Sequence, residues 1–183
     1  MIDGNEMLAL MGRRQSERRY LDKPVEKEKI ERILEAGRLS PSACNGQPWK
    51  FIVVDDPVLL NGIASAASAK VLRMNLFVDQ APTVIVIIRE KSNLSSRAGG
   101  VVQQKDYSLI DIGIATGSMV YQASAEGLGT CIIGWLDEKK VKDLLKIPTS
   151  KRVELILTVG YTENQVRSKI RKLPGETISF NKY

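Results

Sequence analysis

Two spacings of apolar residues alternate along this chain. From Lys27 to Leu39, Ile30, Ile33, Leu34 and Gly37 recur on one face of a predicted helix. Pro24 is its start signal. Ser40-Pro41-Ser42 breaks it, because the residue before a proline is pushed out of helical geometry. Residues 3–14, with Met7, Leu8, Leu10 and Met11, predict a short helix, and the alanine-rich run Pro57 to Lys70 predicts another. Tyr107 to Glu126 predicts the longest helix. Its Ile110, Ile114, Met119 and Ala123 are apolar, while Gly113, Ala115, Gly117 and Ser118 are small enough to let another helix approach closely. Gly127 and Gly129 end it. Asp137 caps a last helix running to Lys146, with Val141, Leu144 and Leu145 turned inward.

The second spacing is nearly continuous. Trp49 to Val54 is β-branched and aromatic-rich and predicts a strand. Thr83 to Arg89 is apolar almost throughout, which predicts a strand buried on both faces. Thr130 to Gly134 and Val153 to Tyr161 predict two more strands. Glu90 to Gln104, with its serines and Gly99-Gly100, predicts a mobile loop. Residues 163–183 show no period, yet Ile170, Leu173, Ile178 and Phe180 predict a tail that packs on something, and a partner subunit is the candidate.

Composition narrows the function. A chain of 183 residues, 43% hydrophobic and 26% charged, fits one domain spanning 1–183. No apolar run reaches the ~18 residues of a membrane span. The N-terminus has no basic segment followed by a long apolar one, so no signal peptide is expected. Cys44 and Cys131 lie far apart, which suits a reducing, cytoplasmic compartment. The net charge of +6 could serve nucleic acid or a phosphate group, but aromatics are only 5% and none interleaves with the basic clusters, so nucleic acid is not the expected partner. The chain has no histidine. That excludes Ser-His and Cys-His couples and leaves a poor donor set for zinc. Hard chemistry on such a chain would come from a cofactor.

Three constellations carry candidate chemistry. In Arg14 to Tyr20, Arg14 and Arg18 flank Ser16. Guanidinium groups and a hydroxyl can grip a phosphate, although the run also reads as a solvated basic helix end. In Ser40 to Trp49, two prolines stiffen a loop bearing Ser42, Asn45 and Gln47. It could hydrogen-bond the edge of a heterocycle, or be an ordinary turn. Gly127 to Trp135 holds three glycines that would let a flat ligand lie on backbone. It precedes a strand and lacks GxGxxG, so it is not a dinucleotide fingerprint. A helix cap before a buried strand is its other reading.

Together the RRxSxRxY opening, the SPSxxNxQPW loop, the small-residue helix ending in EGLGT and the basic, proline-bearing tail resemble the FMN-dependent nitroreductase family, from about Met11 to Pro174. The resemblance implies an α+β fold, a central, mainly antiparallel sheet flanked by helices, in an intertwined homodimer with FMN at the subunit interface. It implies that Arg14, Gln15 and Ser16 hold the phosphate and ribityl chain. Arg18 would reach the ribityl or pyrimidine edge, where a cation favours the anionic reduced flavin. Pro41, Ser42, Ala43 and Asn45 would reach in from the other subunit. Ile133 and Gly134 would face the reactive ring nitrogen through their backbone. Arg73 and Asn75 are candidates for the pyrimidine ring, and Arg171 or Lys172 would close on the phosphate.

Many relatives carry glutamate at the position of Ile133, which leaves NADH and NADPH both open as reductant. The implied activity is ping-pong hydride transfer from NAD(P)H to small acceptors such as nitroaromatics or quinones. Dehalogenation or flavin cleavage on the same fold, or flavin binding without turnover, are the alternatives. The substrate cover is either reduced or formed by residues 90–104.

Overall fold

The computed structural model of the protein describes residues 3–69 and 74–183. Its centre is a four-stranded sheet in the order β1 (Trp49–Val54), β2 (Thr83–Arg89), β4 (Arg152–Gly160), β3 (Gly129–Ile133), antiparallel throughout. Successive side chains of a strand point to opposite faces. Val84, Val86 and Ile88 therefore enter one core with Ile63, Phe77, Val141 and Ile156, and Ile85 and Ile87 enter the other with Ile33, Met119 and Leu157. Each such side chain contributes about 1.5–3 kcal/mol by leaving water. The two-sided burial expected of β2 is present from Val84 to Ile88.

Helices α3 (Pro57–Ala67) and α6 (Glu138–Leu145) cover the first face. Helices α2 (Lys27–Arg38) and α5 (Tyr107–Ala125) cover the second. Side-chain caps start most of them: Asp56 accepts from Val58 and Leu59, Asp106 from Ser108, and Asp137 from Lys140. Gly37 of α2 allows the close crossing over α5, for a Cβ there would lie 2.9 Å from the Met119 side chain. Helix α1 (Gly4–Arg13) carries a full capping box from Asp3 and Glu6 but buries no residue.

Three expectations needed correction or completion. Residues 90–104 are not a loop, because Leu94–Gln103 forms helix α4. Asn93 caps it by accepting from Ser96 N at 2.9 Å. The glycines that looked like loop residues permit packing: a Cβ on Gly100 would sit 2.7 Å from the Lys105 carbonyl, where α4 gives way to α5. Helix α3 stops at Ala67, since Ser68 is extended, and Lys70 lies outside the described residues. The tail contains a single helical turn, α7 (Pro174–Thr177).

A polar clasp joins α2 to the end of α5. Arg32 donates to both Glu126 oxygens at 2.6 and 2.8 Å, and Lys29 donates to the Glu126 carbonyl at 3.1 Å. The Arg32 bond, seconded by Gln122, holds the Glu126 carboxyl down at about 2, from an ordinary 4.5. A depressed carboxylate stabilises the fold above its unfolded value, and that stability is lost as pH falls through the folded value. Wild-type protein should therefore lose more of its urea midpoint between about pH 5 and about pH 2 than Glu126→Gln does. Equal losses would show that the clasp contributes nothing to stability.

Candidate functional site

The site starts where α1 ends. Arg14 leaves the helix, and the chain then runs along the free edge of β3. Ser16 makes a parallel bridge to Thr130, and Glu17 N donates to the Thr130 carbonyl at 2.9 Å. Tyr20 pins the far end. Its hydroxyl bonds the Glu17 carbonyl at 3.0 Å and Thr158 Oγ1 at 2.6 Å, and burial pushes its ionisation up against the opposing Thr158 bond. The glycines nearby serve the chain itself. Gly127, at φ 75°, closes α5, and a Cβ on Gly129 would lie 2.6 Å from Glu17 Cγ. Of the glycines in that third segment, Gly127 and Gly134 face open space, and only Gly134 does so without a turn of its own to close.

Beyond β4 the chain returns antiparallel to this segment. Gln15 Nε2 donates to the Gln165 carbonyl at 3.1 Å, and Gln15 Oε1 accepts from Arg167 N at 3.0 Å. The Arg167 guanidinium donates to the Ser16 carbonyl at 2.9 Å, and Lys169 Nζ to the Arg14 carbonyl at 2.5 Å. These contacts border an open cavity of about 290 Å³ lined by residues 14–16 and 167–171. Four of its side chains are the cations Arg14, Arg167, Lys169 and Arg171, and none is a carboxylate.

The electrostatics of this cavity point to an anion. Arg14 Nε is buried with no hydrogen-bond partner among the described residues. Lys169 is pushed below the ordinary lysine range, first by desolvation and then by Arg14, Arg171 and Arg167. Cationic groups crowded against one another are stabilised by a dianion with several acceptor oxygens. The terminal phosphate of FMN fits that requirement.

A second groove of about 640 Å³ brings Arg18 and Asn75 together with Asp79 and Gln80. Asn75 stands in the left-handed region at φ 55°, and its amide donates to the Ala67 carbonyl at 3.1 Å. Arg73 lies outside the described residues. Ile133 points into the core and Gly134 is exposed, so at these two positions a ligand could meet backbone but not the isoleucine side chain. Beneath Ser16 the Cys131 thiol is raised by burial, an effect that Arg18 and Ser16 partly offset.

Pro41, Ser42, Ala43 and Asn45 occupy a stiff loop elsewhere. Ser42 Oγ accepts from Gln47 N at 3.0 Å, and Ala43 N donates to Asp111 Oδ1, also at 3.0 Å. Asn93 Nδ2 donates to the Cys44 carbonyl at 2.7 Å. Cys44, Asn45 and Gln47 all have positive φ, at 50°, 53° and 44°. Neither the cavity of Arg14 nor the groove of Arg18 is lined by any residue of this loop. Within one chain the candidate residues thus fall mainly in three places, the cavity, the groove and this loop.

The structure places Arg171 in the cavity and leaves Lys172 exposed outside its lining. Lys169 and Arg167 were missed in the sequence. Their signal was the alternation Arg167, Lys169, Arg171: side chains two apart share one side of an extended chain. Glu17 was missed because a lone acid inside a basic run looks solvated, whereas it is 5% exposed.

Sheet, helical layers and a cation-lined cavity at the β3 edge define an α+β protein. A model described as "Nitroreductase family" matches residues 11–161, and the chain belongs to that family. An FMN-dependent nitroreductase of Clostridium difficile R20291 superimposes with a TM-score of 0.80 at 30% identity, covering 96% of this chain and 99% of that one. The Bacillus subtilis FMN reductase [NAD(P)H] is 26% identical, over 96% of this chain and 73% of its own. A Thermotoga neapolitana iodotyrosine deiodinase is 25% identical, over 85% and 88%.

The cradle makes a prediction that needs no flavin. Inorganic phosphate should raise the melting temperature of ligand-stripped protein beyond sodium chloride of equal ionic strength. At a hundred times Kd the gain is about 2.7 kcal/mol, or roughly 5–10 °C for a domain of this size. Lys169→Ala should remove most of it. An increment equal in the two salts would mean the cations are merely screened.

Proposed function

We propose that this chain is an FMN-dependent NAD(P)H oxidoreductase that reduces small acceptors, such as nitroaromatics or quinones, by ping-pong hydride transfer. The observation that carries this reading is the cradle of Arg14, Lys169 and Arg171, whose Ser16 stands two residues along the chain from the Arg18 that lines a second groove with Asn75, in a chain of the nitroreductase family. The chemistry supplied by bound FMN is acceptance of a hydride from NADH or NADPH and its delivery to the acceptor.

The protein's own part is binding and electrostatics. Arg14, Ser16, Lys169 and Arg171 hold the phosphate, with Gln15 tying the tail in place. Arg18 puts positive charge where reduction adds negative charge, and the charge-assisted contact favours the reduced form. Asn75 lines the same groove. The backbone at Ile133 and Gly134 faces the ring. The free thiols Cys44 and Cys131 support a reducing, cytoplasmic setting, and no described helix is long and apolar enough to cross a membrane.

The working unit in this reading is a homodimer. Leu109, Ile110 and Ile114 are exposed on α5, with open space at Gly113 and Gly117, and Met7, Leu8 and Met11 are exposed on α1. In the tail, Ile170, Leu173, Ile178 and Phe180 are exposed as well. Such a surface supports close approach of a second copy, whose Pro41–Asn45 loop completes each site. Reductive dehalogenation is the second reading, supported by the likeness to the deiodinase. NAD(P)H-dependent iodide release from an iodotyrosine, faster than nitroarene or quinone reduction, would favour it.

Purified protein should carry non-covalent FMN and oxidise NADH or NADPH in the presence of a quinone. FAD, no flavin after reconstitution, or flavin without turnover would each end the assignment. Arg18→Ala should weaken FMN binding about tenfold to a hundredfold, the worth of one charge-assisted hydrogen bond. Unchanged affinity would make Arg18 a solvated charge. Shared sites are tested by mixing one chain altered at Arg14 and Arg18 with one altered at Ser42 and Asn45. About half the activity should return, because one site of each mixed dimer collects every lesion and the other is intact. No recovery would show each site to be built by a single chain.

A further inference from the structure

Glu17 is a buried carboxylate inside a strongly cationic neighbourhood, and its oxygens bond to neutral amides. Oε1 accepts from Gln15 Nε2 at 2.7 Å, and Oε2 accepts from Asn164 Nδ2 at 2.7 Å. Gln15 is the residue whose other contacts hold Gln165 and Arg167, so the carboxylate touches the returning tail twice: directly at Asn164 and through Gln15. Its own backbone is fixed to β3 through Thr130, and its side chain lies over Gly129, where any Cβ would collide with it. The clamp therefore has a rigid base on the sheet and its grip on the tail.

We propose that Glu17 is a positioning residue for phosphate binding: it clamps the segment Asn164–Lys169 onto Arg14–Glu17, so that Arg167 and Lys169 share one cavity with Arg14. This rests on the reading of that cavity as the FMN phosphate site. Two effects of opposite sign compete at Glu17. By Coulomb's law a carboxylate near the cradle opposes an incoming dianion, so removing it would strengthen phosphate binding. By position, removing it frees the tail, and the cations must then be ordered at the moment of binding, at an entropic cost. The bonds to Gln15 and Asn164 are charge-assisted and partly buried, which makes them stronger than neutral bonds in open water. Lys169 reaches the cavity only along the segment they hold, so the positional effect dominates.

The sign of the change decides the matter. Dissociation constants of FMN and of riboflavin, which lacks the phosphate, should be measured by flavin fluorescence for wild type, Glu17→Ala, Asn164→Ala and the double variant. Asn164 is exposed, so its variant should fold, and it removes no charge. Each single variant should weaken FMN about tenfold, the worth of one charge-assisted bond, and leave riboflavin unchanged. The double variant should be little worse than either single one, because both break the same clamp. Trypsin should cut after Arg167 and Lys169 faster in all three.

FMN bound equally or more tightly by Glu17→Ala and Asn164→Ala would overturn the proposal. So would parallel losses of FMN and riboflavin, which would signal general loosening of the fold. If wild type itself bound FMN no better than riboflavin, the phosphate assignment would fail instead. The trypsin comparison would then report on the clamp alone, with unchanged cutting counting against it.

Discussion

A strand that is apolar from Val84 to Ile88 is stable only between two covering layers, and that constraint arranges the rest of the molecule. β2 sits inside the sheet with β1 and β4 beside it, helices α3 and α6 on one face and α2 and α5 on the other. β3 is thereby left as an edge. An edge strand exposes unpaired backbone groups that invite unwanted pairing. Here the segment after α1 takes that place through Ser16 and Glu17, and the chain leaving β4 folds back over it. The cradle is thus a product of how one edge of the sheet is covered.

That placement explains why like charges can be held close together. Arg14 is set by the end of α1 and by Tyr20 further along, which is anchored in the core on Thr158. Lys169 and Arg167 are set by hydrogen bonds to backbone carbonyls of the opposing segment. Their charges are not neutralised, and desolvation first, then the neighbouring Arg14, Arg171 and Arg167, hold Lys169 below its ordinary range. In the function proposed above, a bound dianion would release the repulsion among these cations. A preorganised site of this kind selects for charge as well as shape.

Much of this was legible in the sequence, and the misses have physical causes. The strands showed because continuous β-branched runs have few other uses, and α2 showed through Ile30, Ile33 and Gly37. Helix α4 was hidden by Ser95, Ser96, Gly99 and Gly100, weak helix formers individually, whose helix is secured by the Asn93 cap and by packing against Tyr107. The arginines of the first motif showed by residue type and spacing. Glu17 and Asp111 could not, because burial of an acid depends on partners such as Asn164, 147 positions away, or the Ala43 amide, 68 away. Long-range pairings of that sort leave no periodic trace.

The loop at residues 42–47 raises the question of what its strain serves. Positive φ at Cys44, Asn45 and Gln47 costs free energy at each position, because these residues have a Cβ. The surroundings hold it: Asp111 receives the Ala43 amide, Asn93 reaches the Cys44 carbonyl, and Ser42 receives the amide of Gln47. A plain connection between α2 and β1 would need none of this. Among the described residues, the Asn45 side chain bonds only to Gln47, within the loop. Meanwhile the cradle lacks any such loop, and α5, which holds Asp111, exposes Ile110 and Ile114 beside open glycines. Strain in one place, an unfinished site in another and a bare apolar face next to the strained loop are all accounted for by the proposed homodimer, in which a second copy would dock on α5 and the two chains would complete each other's sites. The proposed dimer would then be a condition of the chemistry, and the strain in the loop would be offset at the interface it helps to build.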